Sequence, residues 1–476
     1  MNRPATSETS LARTPAVGMA SGRLDDTIAA IASAPGIGAI GIVRVAGPRA
    51  FEIAAAVFRP AGGHDVLDLP GGRVLFGRIV DADGGVGGAA GAGAFVDEGL
   101  LLTFRAPRSY TGQDAVELQA HGGPAVLRTV LDACLRRGAR SAEPGEFTLR
   151  AVAAGRLDLA QAEAVLAMVE ARSDAARRQA SVGLSGALSA AIDAAQRELT
   201  SAYAAVLASL DYPEEGVPEA RVEAPVAAAR SRLERLLATA SAGRFAARGA
   251  RMAIVGRPNA GKSSLLNALL GYERAIVADA PGTTRDYLEA PLELGRVSVT
   301  AVDTAGLRAT TDAVEAHGVA RARELAAAAD VVLALVDGTR PLEPEDLELV
   351  AALDRERTVW VASKADRPRV WDASDLGAPV RAVSSATGAG LDALRRELET
   401  RLEGDAAGEE AWVTSERQAD ALREAVAALA RVPGAPADLQ GLDLETALRA
   451  LARITGRGDV AEETLAEVFA RFCVGK

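Results

Sequence analysis

The distribution of apolar positions divides the chain into three textures. Between residues 24 and 155, short strand-like and helical runs alternate. Gly38 to Val45 (GAIGIVRV) reads as a buried strand and Arg49 to Phe58 as a short helix. Arg73 to Val80, Leu100 to Phe104 and Val116 to Ala120 read as further strands, and Gly123 to Arg137 as a helix. The stretch Asp81 to Phe95 holds six glycines and five alanines and is expected to form a loop. From Leu159 to Leu210 apolar residues fall at helical spacing, with Gly and Pro absent except near Gly183 and Gly186. Tyr212-Pro213 breaks that run, and Pro225 to Ala247 resumes it. Beyond Gly249 the pattern becomes a strand–helix alternation to about Leu402, with strands RMAIVG, VSVTAVD, VVLALVD, TVWVAS and PVRAVS. Several of these are apolar throughout, as expected of parallel strands covered on both faces. A charged, Gly/Ala-rich linker, Glu403 to Ala411, then leads to helices up to Lys476.

The organisation expected is multidomain. An α+β N-terminal domain covers 24–155, helices 156–248, an α/β P-loop domain 249–402, and further helices 403–476. Both helical stretches carry an apolar stripe to bury, so a discontinuous all-α domain with the α/β domain inserted is favoured over two separate helical modules. The 476 residues, 49% apolar and 25% charged, describe a soluble globular chain of more than one core. Two cysteines, Cys134 and Cys473, exclude a disulfide framework and favour a reducing, cytoplasmic setting. No apolar run approaches the ~20 residues that span a bilayer. Residues 1–23 carry Arg3, Arg13 and Arg23 against one acid, Glu8, and read as a disordered tail rather than a transit peptide. The net charge of −11 argues against non-specific coating of nucleic acid, though not against a local basic patch.

The chemistry concentrates where the third texture begins. Gly256 to Ser263 is GxxxxGK[ST], placed after a strand and before a helix. Backbone N–H groups of Asn259 to Ser264 and the helix dipole suit a polyphosphate. Lys262 would reach the β/γ-phosphates, and Ser263 would bind Mg²⁺. Asp303-Thr304-Ala305-Gly306 ends another strand and is placed for the Mg²⁺ shell and the γ-phosphate. Gly282-Thr283-Thr284 lies between them, one threonine being a further Mg²⁺ ligand. Ser363-Lys364-Ala365-Asp366 is similar to the NKxD guanine reader of GTPases, with Ser363 where Asn is usual. Its Asp accepts guanine N1–H and N2–H₂, which implies GTP. Ser385, Ala386 and Thr387 would complete the base pocket. The water-orienting Gln that follows DTAG in Ras-like proteins is Leu307 here. Asp312 and Glu315 are the nearest downstream acids, and from spacing alone Glu315 is a favourable acid near a helix start.

GRPNAGKSS, GTTRD and DTAGLR occur together with SYTGQDAVELQAHGG, PGEFTLRAVAAGRLDLAQAEA and the run Phe472-Cys473-Val474-Gly475-Lys476. With these motifs the chain resembles the MnmE (TrmE) tRNA-modification GTPases from about Asp26 to Lys476. The resemblance implies a homodimer formed by a folate-binding N-terminal domain, holding a 5-formyl- or 5,10-methylene-tetrahydrofolate one-carbon donor. Arg44, Glu117 and Arg156 would contact it, with Lys476 closing the pocket. The family's usual Lys is Arg156 here, and its TGED is TGQD, so Gln113 puts a carboxylate role in doubt.

The resemblance also implies a K⁺ ion on the Asn259 side chain, the Ala278 and Ala280 carbonyls and Thr283. Asp279, Pro281 and Gly282 complete that loop around GTP, and Thr284 joins Ser263 on Mg²⁺. The water-orienting glutamate falls on Glu315. Cys473 is either a small buried hydrophobe or a functional, folate-proximal thiol. An FAD-containing MnmG (GidA)-type partner in a heterotetramer, and a wobble-uridine C5 modification of tRNA, follow by the same resemblance. The competing reading is a regulatory or ribosome-assembly GTPase switch, which would place a basic KH-like RNA module after the nucleotide domain.

Overall fold

A computed structural model of the protein describes residues 24–81, 94–171, 173–211, 222–271, 289–295, 297–303, 324–403, 411–457 and 462–475. The chain divides into two compact units, Met1–Leu166 with Glu445–Lys476, and Ala167–Leu444. A shared apolar cluster joins the two segments of the first unit: Val152, Leu159 and Ala162 pack with Leu465, Phe469 and Phe472. The last helix is thereby held to the N-terminal module.

In the first unit the strands are β1 (Ile28–Ile31), β2 (Ile40–Ala46), β3 (Phe58–Pro60), β4 (Val74–Asp81), β5 (Ala94–Phe104), β6 (Ala115–His121) and β7 (Arg140–Ser141). They form one sheet in the order β3-β4-β5-β6-β2-β1-β7. All neighbours are antiparallel except β1 and β7. Helices α1 (Ala50–Val57) and α2 (Pro124–Arg136) cover one face, burying Val43, Val45, Phe51, Ile53, Leu101, Leu118 and Val130. The strand alternation explains this, since residues of one parity in β2, β5 and β6 meet the helices and the others face outward. At the expected loop, Asp81 and Val80 pair with Ala94 and Phe95, so the hairpin strands run further than the Gly content suggested. Residues 82–93 lie outside the described residues.

Helix α3 (Glu146–Ala153) follows β7, and α4 (Leu159–Glu170) follows it. A charged network ties α3 to the sheet. Arg150, 2% exposed, donates to Asp26 Oδ1 at 2.5 Å and Glu146 Oε1 at 2.8 Å, and Arg140 donates to the same two acids. Burial opposes the charge of Glu146, but hydrogen bonds from Arg140, the Glu143 N–H and Arg150 outweigh it and hold the carboxyl below its ordinary range. Asp26 is depressed in the same way, burial being outweighed by Arg140 and Arg150. Depressed carboxylates contribute stability above their unfolded pKa of about 4, and lose it as pH falls through the folded value. The melting temperature of the full chain should therefore be insensitive to this network above about pH 5 and fall below about pH 4. Asp26→Asn should flatten part of that acid limb, and an unchanged limb would exclude the network as its cause.

In the second unit, α5 (Asp174–Leu184), α6 (Ala187–Asp211), α7 (Glu223–Ala238) and α8 (Ala240–Arg248) precede the α/β segment. The two long helical runs are each broken. Ser173 caps α5, accepting from the Ala176 N–H at 3.1 Å, and Thr239 separates α7 from α8. The Thr239 hydroxyl donates to Leu236 O at 2.6 Å and accepts from the Val413 N–H at 3.0 Å. A residue expected inside a helix is thus spent on a distant segment. The later helices α13 (Glu416–Arg431) and the start of α14 (Ala437–Thr455) belong here as well, with α13 packed on α7 and α8.

Between them lies a six-stranded sheet in the order β13-β12-β11-β8-β10-β9. Its strands are β8 (Ala250–Gly256), β9 (Glu289–Leu294), β10 (Val297–Asp303), β11 (Val331–Asp337), β12 (Thr358–Ser363) and β13 (Val380–Ala382). All pairs are parallel except β9 with β10. One face packs on α9 (Lys262–Gly271) and α12 (Leu391–Glu403), the other on α10 (Pro344–Ala352) and α11 (Ala373–Leu376). Both faces are buried, which is why β8, β11 and β12 are apolar almost without interruption.

Candidate functional site: a P-loop with its base reader, and a charged pocket on the N-terminal sheet

The P-loop leaves the central strand β8 and enters α9. Gly256 has φ 146°, and a Cβ there would stand 2.4 Å from Leu335 O on the adjacent strand, so only glycine lets the chain turn off the sheet here. Asn259 adopts φ 64° and Gly261 φ 97°. The left-handed turn at Asn259, costing about 1–2 kcal/mol for a residue with a Cβ, leaves its side chain exposed on the loop. Lys262 is folded back, donating to Gly256 O at 2.8 Å and Arg257 O at 2.9 Å. Its charge therefore sits within the loop that successive N–H groups define. Ala260 is buried, while Ser263 and Ser264 are exposed in the first turn of α9, where a hydroxyl and the helix N-terminus suit a phosphate and its cation. Asp303 ends β10 beside Ile254 of β8. Parallel strands thus bring that acid to the same end of the sheet as the P-loop.

The base reader follows β12 at the same sheet end. Lys364 has φ 59°, and its ammonium donates to Asp337 Oδ2 at 2.6 Å. Ser363 is buried, its hydroxyl donating to Val336 O at 3.4 Å. It stands about 4 Å from the position a Gly261 Cβ would take, so the reader adjoins the P-loop. The Asp366 carboxylate accepts from the Ser384 hydroxyl at 2.6 Å, and that bond holds it below the ordinary carboxylate range. It is charged at neutral pH, as an acceptor for two N–H groups must be. Ser384 is wholly buried. Its backbone closes the turn over Ser385, Ala386 and Thr387 by accepting from the Gly388 N–H at 2.9 Å.

The sequence pattern points to Ser385 to Thr387 for the second half of the base pocket and not to Ser384. The serine doublet was the available signal, but only burial distinguishes which hydroxyl turns inward. Asp337 was missed too, being read only as the end of a strand.

The charged pocket lies on the outward face of the N-terminal sheet. Arg44 of β2 and Glu117 of β6 are direct cross-strand partners. Arg44 Nε and Nη2 both donate to Glu117 Oε1, at 2.9 and 2.8 Å. The Arg44 guanidinium lies 5.6 Å from the Tyr110 ring and 5.6 Å from the Phe147 ring. Arg156 stands 5.5 Å over Tyr110 from its other neighbour and donates to Ser109 O. Arg44, Glu117, Tyr110 and Arg156 line, with Phe104 and Arg108, a cavity of about 550 Å³, within the range of small-molecule sites. The three charges expected to gather therefore do gather, although they are spread over more than a hundred positions of sequence.

The C-terminal run reaches this site. Gly475, at φ 99°, accepts from Arg44 Nη1 at 3.4 Å. A Cβ there would stand 2.3 Å from Ile31 O, which accounts for glycine in CVGK. Val474 bridges Pro144, and Cys473 O accepts from the Gly145 N–H at 3.4 Å. Cys473 is exposed, which removes the reading of a buried small hydrophobe. Gln113 is not in the cavity wall. Its amide donates to Leu24 O at 2.9 Å and accepts from Arg150 Nη1 at 3.1 Å, two roles no carboxylate can combine.

Of the other expected site residues, Ala278, Asp279, Ala280, Pro281, Gly282, Thr283, Thr284, Thr304, Ala305, Gly306, Glu315 and Lys476 lie outside the described residues.

Comparison with known proteins then gives the family. Residues 159–473 match the MnmE helical domain and residues 27–156 the GTP-binding protein TrmE N-terminus. The tRNA modification GTPase MnmE of Thermus thermophilus is 51% identical over 453 residues, covering 95% of this chain and 100% of that protein. The chain belongs to the MnmE family of tRNA modification GTPases. The Chloroflexus aurantiacus member is 42% identical over 465 residues, again covering 95% of this chain and 100% of the relative. The G domain of the T. maritima FeoB iron transporter is 28% identical, covers 33% of this chain and 98% of that one, and has a TM-score of 0.24. As a member of the family the protein is a GTP-binding, GTP-hydrolysing enzyme.

Proposed function

We propose that GTP hydrolysis by this chain drives modification of C5 of the wobble uridine in certain tRNAs, adding an aminomethyl or carboxymethylaminomethyl group. The partner is an FAD-containing protein of the MnmG (GidA) type in a heterotetramer, and the one-carbon unit comes from a 5-formyl- or 5,10-methylene-tetrahydrofolate. The observation that carries the reading is the cavity of Arg44, Glu117 and Arg156 in the same chain as a GTP site. Its donor set fits a folate. Arg44 and Arg156 complement glutamyl carboxylates, Glu117 complements the N–H edge of a pterin, and Tyr110 offers a ring face. Tetrahydrofolate supplies the carbon; the residues bind and orient it. Arg156 presents a planar fork where the family has Lys, and it uses that fork to fix the Ser109 carbonyl at the cavity edge.

The site chemistry suits the two cations implied. Ser263 and Asn259 offer neutral oxygen donors of the kind Mg²⁺ and K⁺ take, with Thr284, Thr283 and the Ala278 and Ala280 carbonyls as the proposed remainder. When bound, Mg²⁺ would neutralise phosphate charge and K⁺ would supply the charge an arginine finger gives elsewhere, and Glu315 would orient water. GTP turnover is expected to fall at least ~10-fold when Na⁺ replaces K⁺; equal rates in the two salts would remove K⁺ from the site.

A homodimer through the N-terminal sheet is supported by its outward face, where Val74, Phe76 and Ile40 are 62%, 57% and 65% exposed. Such apolar exposure marks contact surfaces. The discontinuous helical domain is supported by α13 packing on α7 and α8 across the inserted α/β segment. Among the described residues no helix is long and apolar enough to cross a membrane, and we place the enzyme in the cytoplasm. The chain after Leu402 forms helices among the described residues, which favours this reading over an assembly GTPase with a KH-like module. The deciding experiment is the nucleoside profile of tRNA from cells lacking the protein. Loss of the modified wobble uridine is expected, and an unchanged profile would overturn the proposal.

A further inference from the structure

The base reader departs from the NKxD pattern at Ser363, and the structure contains a second acid that pattern does not name. Lys364 leaves β12 in the left-handed region, a conformation that a residue with a Cβ does not hold without external restraint. Among the described residues the Ser363 hydroxyl reaches only Val336 O, at 3.4 Å. Asp337 meets the need from the end of the neighbouring strand β11. Its Oδ2 accepts from Lys364 Nζ at 2.6 Å. Its Oδ1 is held by the Thr339 N–H at 2.9 Å and the Thr339 hydroxyl at 2.7 Å. Its carbonyl accepts from Trp371 Nε1 at 2.9 Å. The following Gly338 donates to Ser363 O at 3.2 Å, so the two strand ends are joined by backbone as well as by charge. With a side chain 13% exposed, Asp337 is a fixed anion at the root of the reader. Ser384 anchors the far side, at Asp366.

We propose that Asp337 is a positioning residue for guanine selection: by fixing the Lys364 ammonium it holds the turn that aims Asp366, taking over the restraint that the amide missing at Ser363 would give. The reader is then pinned at both ends, and Asp366 meets guanine without first paying to order the loop. The proposal rests on the GTPase activity and is independent of the folate and tRNA readings.

The test is a double-mutant cycle on the full chain, measuring GTP turnover and binding of GDP and of xanthosine and adenosine diphosphates. Asp337→Asn keeps the shape and the Thr339 contacts and removes the charge that Lys364 needs. It is expected to raise KM for GTP about 10-fold while kcat falls less than twofold, and to narrow the preference for guanosine over adenosine diphosphate. Lys364→Met should produce a similar rise in KM. Adding Asp337→Asn to Lys364→Met should then produce less than a further twofold change, because the two act as one unit. Additive effects, a KM change under twofold in either single variant, or a variant chain that no longer melts cooperatively would each overturn the assignment. The last would make Asp337 a residue of folding and not of base selection.

Discussion

Asp366→Asn should convert the nucleotide preference of this enzyme from GTP towards XTP. The Asp366 carboxylate is an acceptor only, with the Ser384 hydroxyl holding it below the ordinary carboxylate range, and as base reader it would face the N1–H and N2–H₂ donors that guanine presents. An asparagine in the same place aims an NH₂ group at one of those donors, so two donors oppose each other and a hydrogen bond to a charged acceptor is lost. Xanthine carries an oxygen at C2, and to that atom the new NH₂ can donate. A site built to hydrogen-bond a group discriminates strongly against a ligand that mismatches it. KM for GTP is expected to rise about 100-fold or more, and KM for XTP to fall by a comparable factor. Competition between the two nucleotides, measured as turnover of each, checks this. If GTP remained preferred by the parent margin, Asp366 would not read the base. Ser384→Ala should raise KM for GTP by less and leave KM for XTP unchanged, since it loosens the carboxylate without giving it a donor.

The contrast between Asp366 and Ser384 indicates what is legible in a sequence of this kind. Asp366 announces itself because it follows an apolar strand inside a four-residue pattern. Ser384 does not, because its function depends on which of two adjacent serines faces inward, a fact of packing. The same division runs through the fold. Strands β8, β11 and β12 were legible because a parallel strand buried on both faces is a nearly continuous apolar run, and β10 because its Val and Ala alternate with Ser298 and Thr300. Strand β9, EAPLEL, was not. It carries Pro291 and two glutamates, and it is an edge strand, where a proline is tolerated. Strand β1, with alanines at two of its four positions, has no composition that separates it from a helix. The break at Thr239 depends on Val413, 174 positions away, and no local pattern can contain it.

The charged pocket was legible in a different sense. Arg44 and Glu117 are opposed only because β2 and β6 pair in one register, and a shift of one residue would put the two side chains on opposite faces of the sheet. The alternation of Val116, Leu118 and Ala120 with Glu117 and Gln119 excludes that slip, but it does not separate the observed register from one shifted by two residues. The three residues were gathered by resemblance, and the sheet supplies the physical reason that they can act together. Gln113 makes the complementary point. Its departure from an acid looked like a lost function, yet its amide spans Leu24 and Arg150 in a network that already holds two carboxylates, Asp26 and Glu146. A third carboxylate there would lose the Leu24 bond and add a negative charge beside two others.

Lys262→Ala should lower GTP turnover by about 10²–10³-fold, the loss typical of removing one preorganised charge from a reacting phosphoryl group. The structure makes the prediction sharper than the motif does. Lys262 bonds the Gly256 and Arg257 carbonyls, so its ammonium is confined to the concave side of the P-loop before any phosphate arrives, and little reorganisation precedes its use. Lys262→Arg should therefore fail to rescue. A guanidinium is longer and planar, and it would have to leave those two carbonyls to accommodate the anion. Turnover of Lys262→Arg within tenfold of the parent would show that charge alone, without the loop's geometry, is what the reaction needs. The same variants separate the two halves of the proposed function. Lys262 and the Arg44–Glu117 pocket belong to different compact units, so tetrahydrofolate binding should stay within twofold of the parent in Lys262→Ala while modified wobble uridine disappears from tRNA. If modification persisted at the parent level without GTP turnover, hydrolysis would be a regulatory accompaniment and not the drive of the reaction.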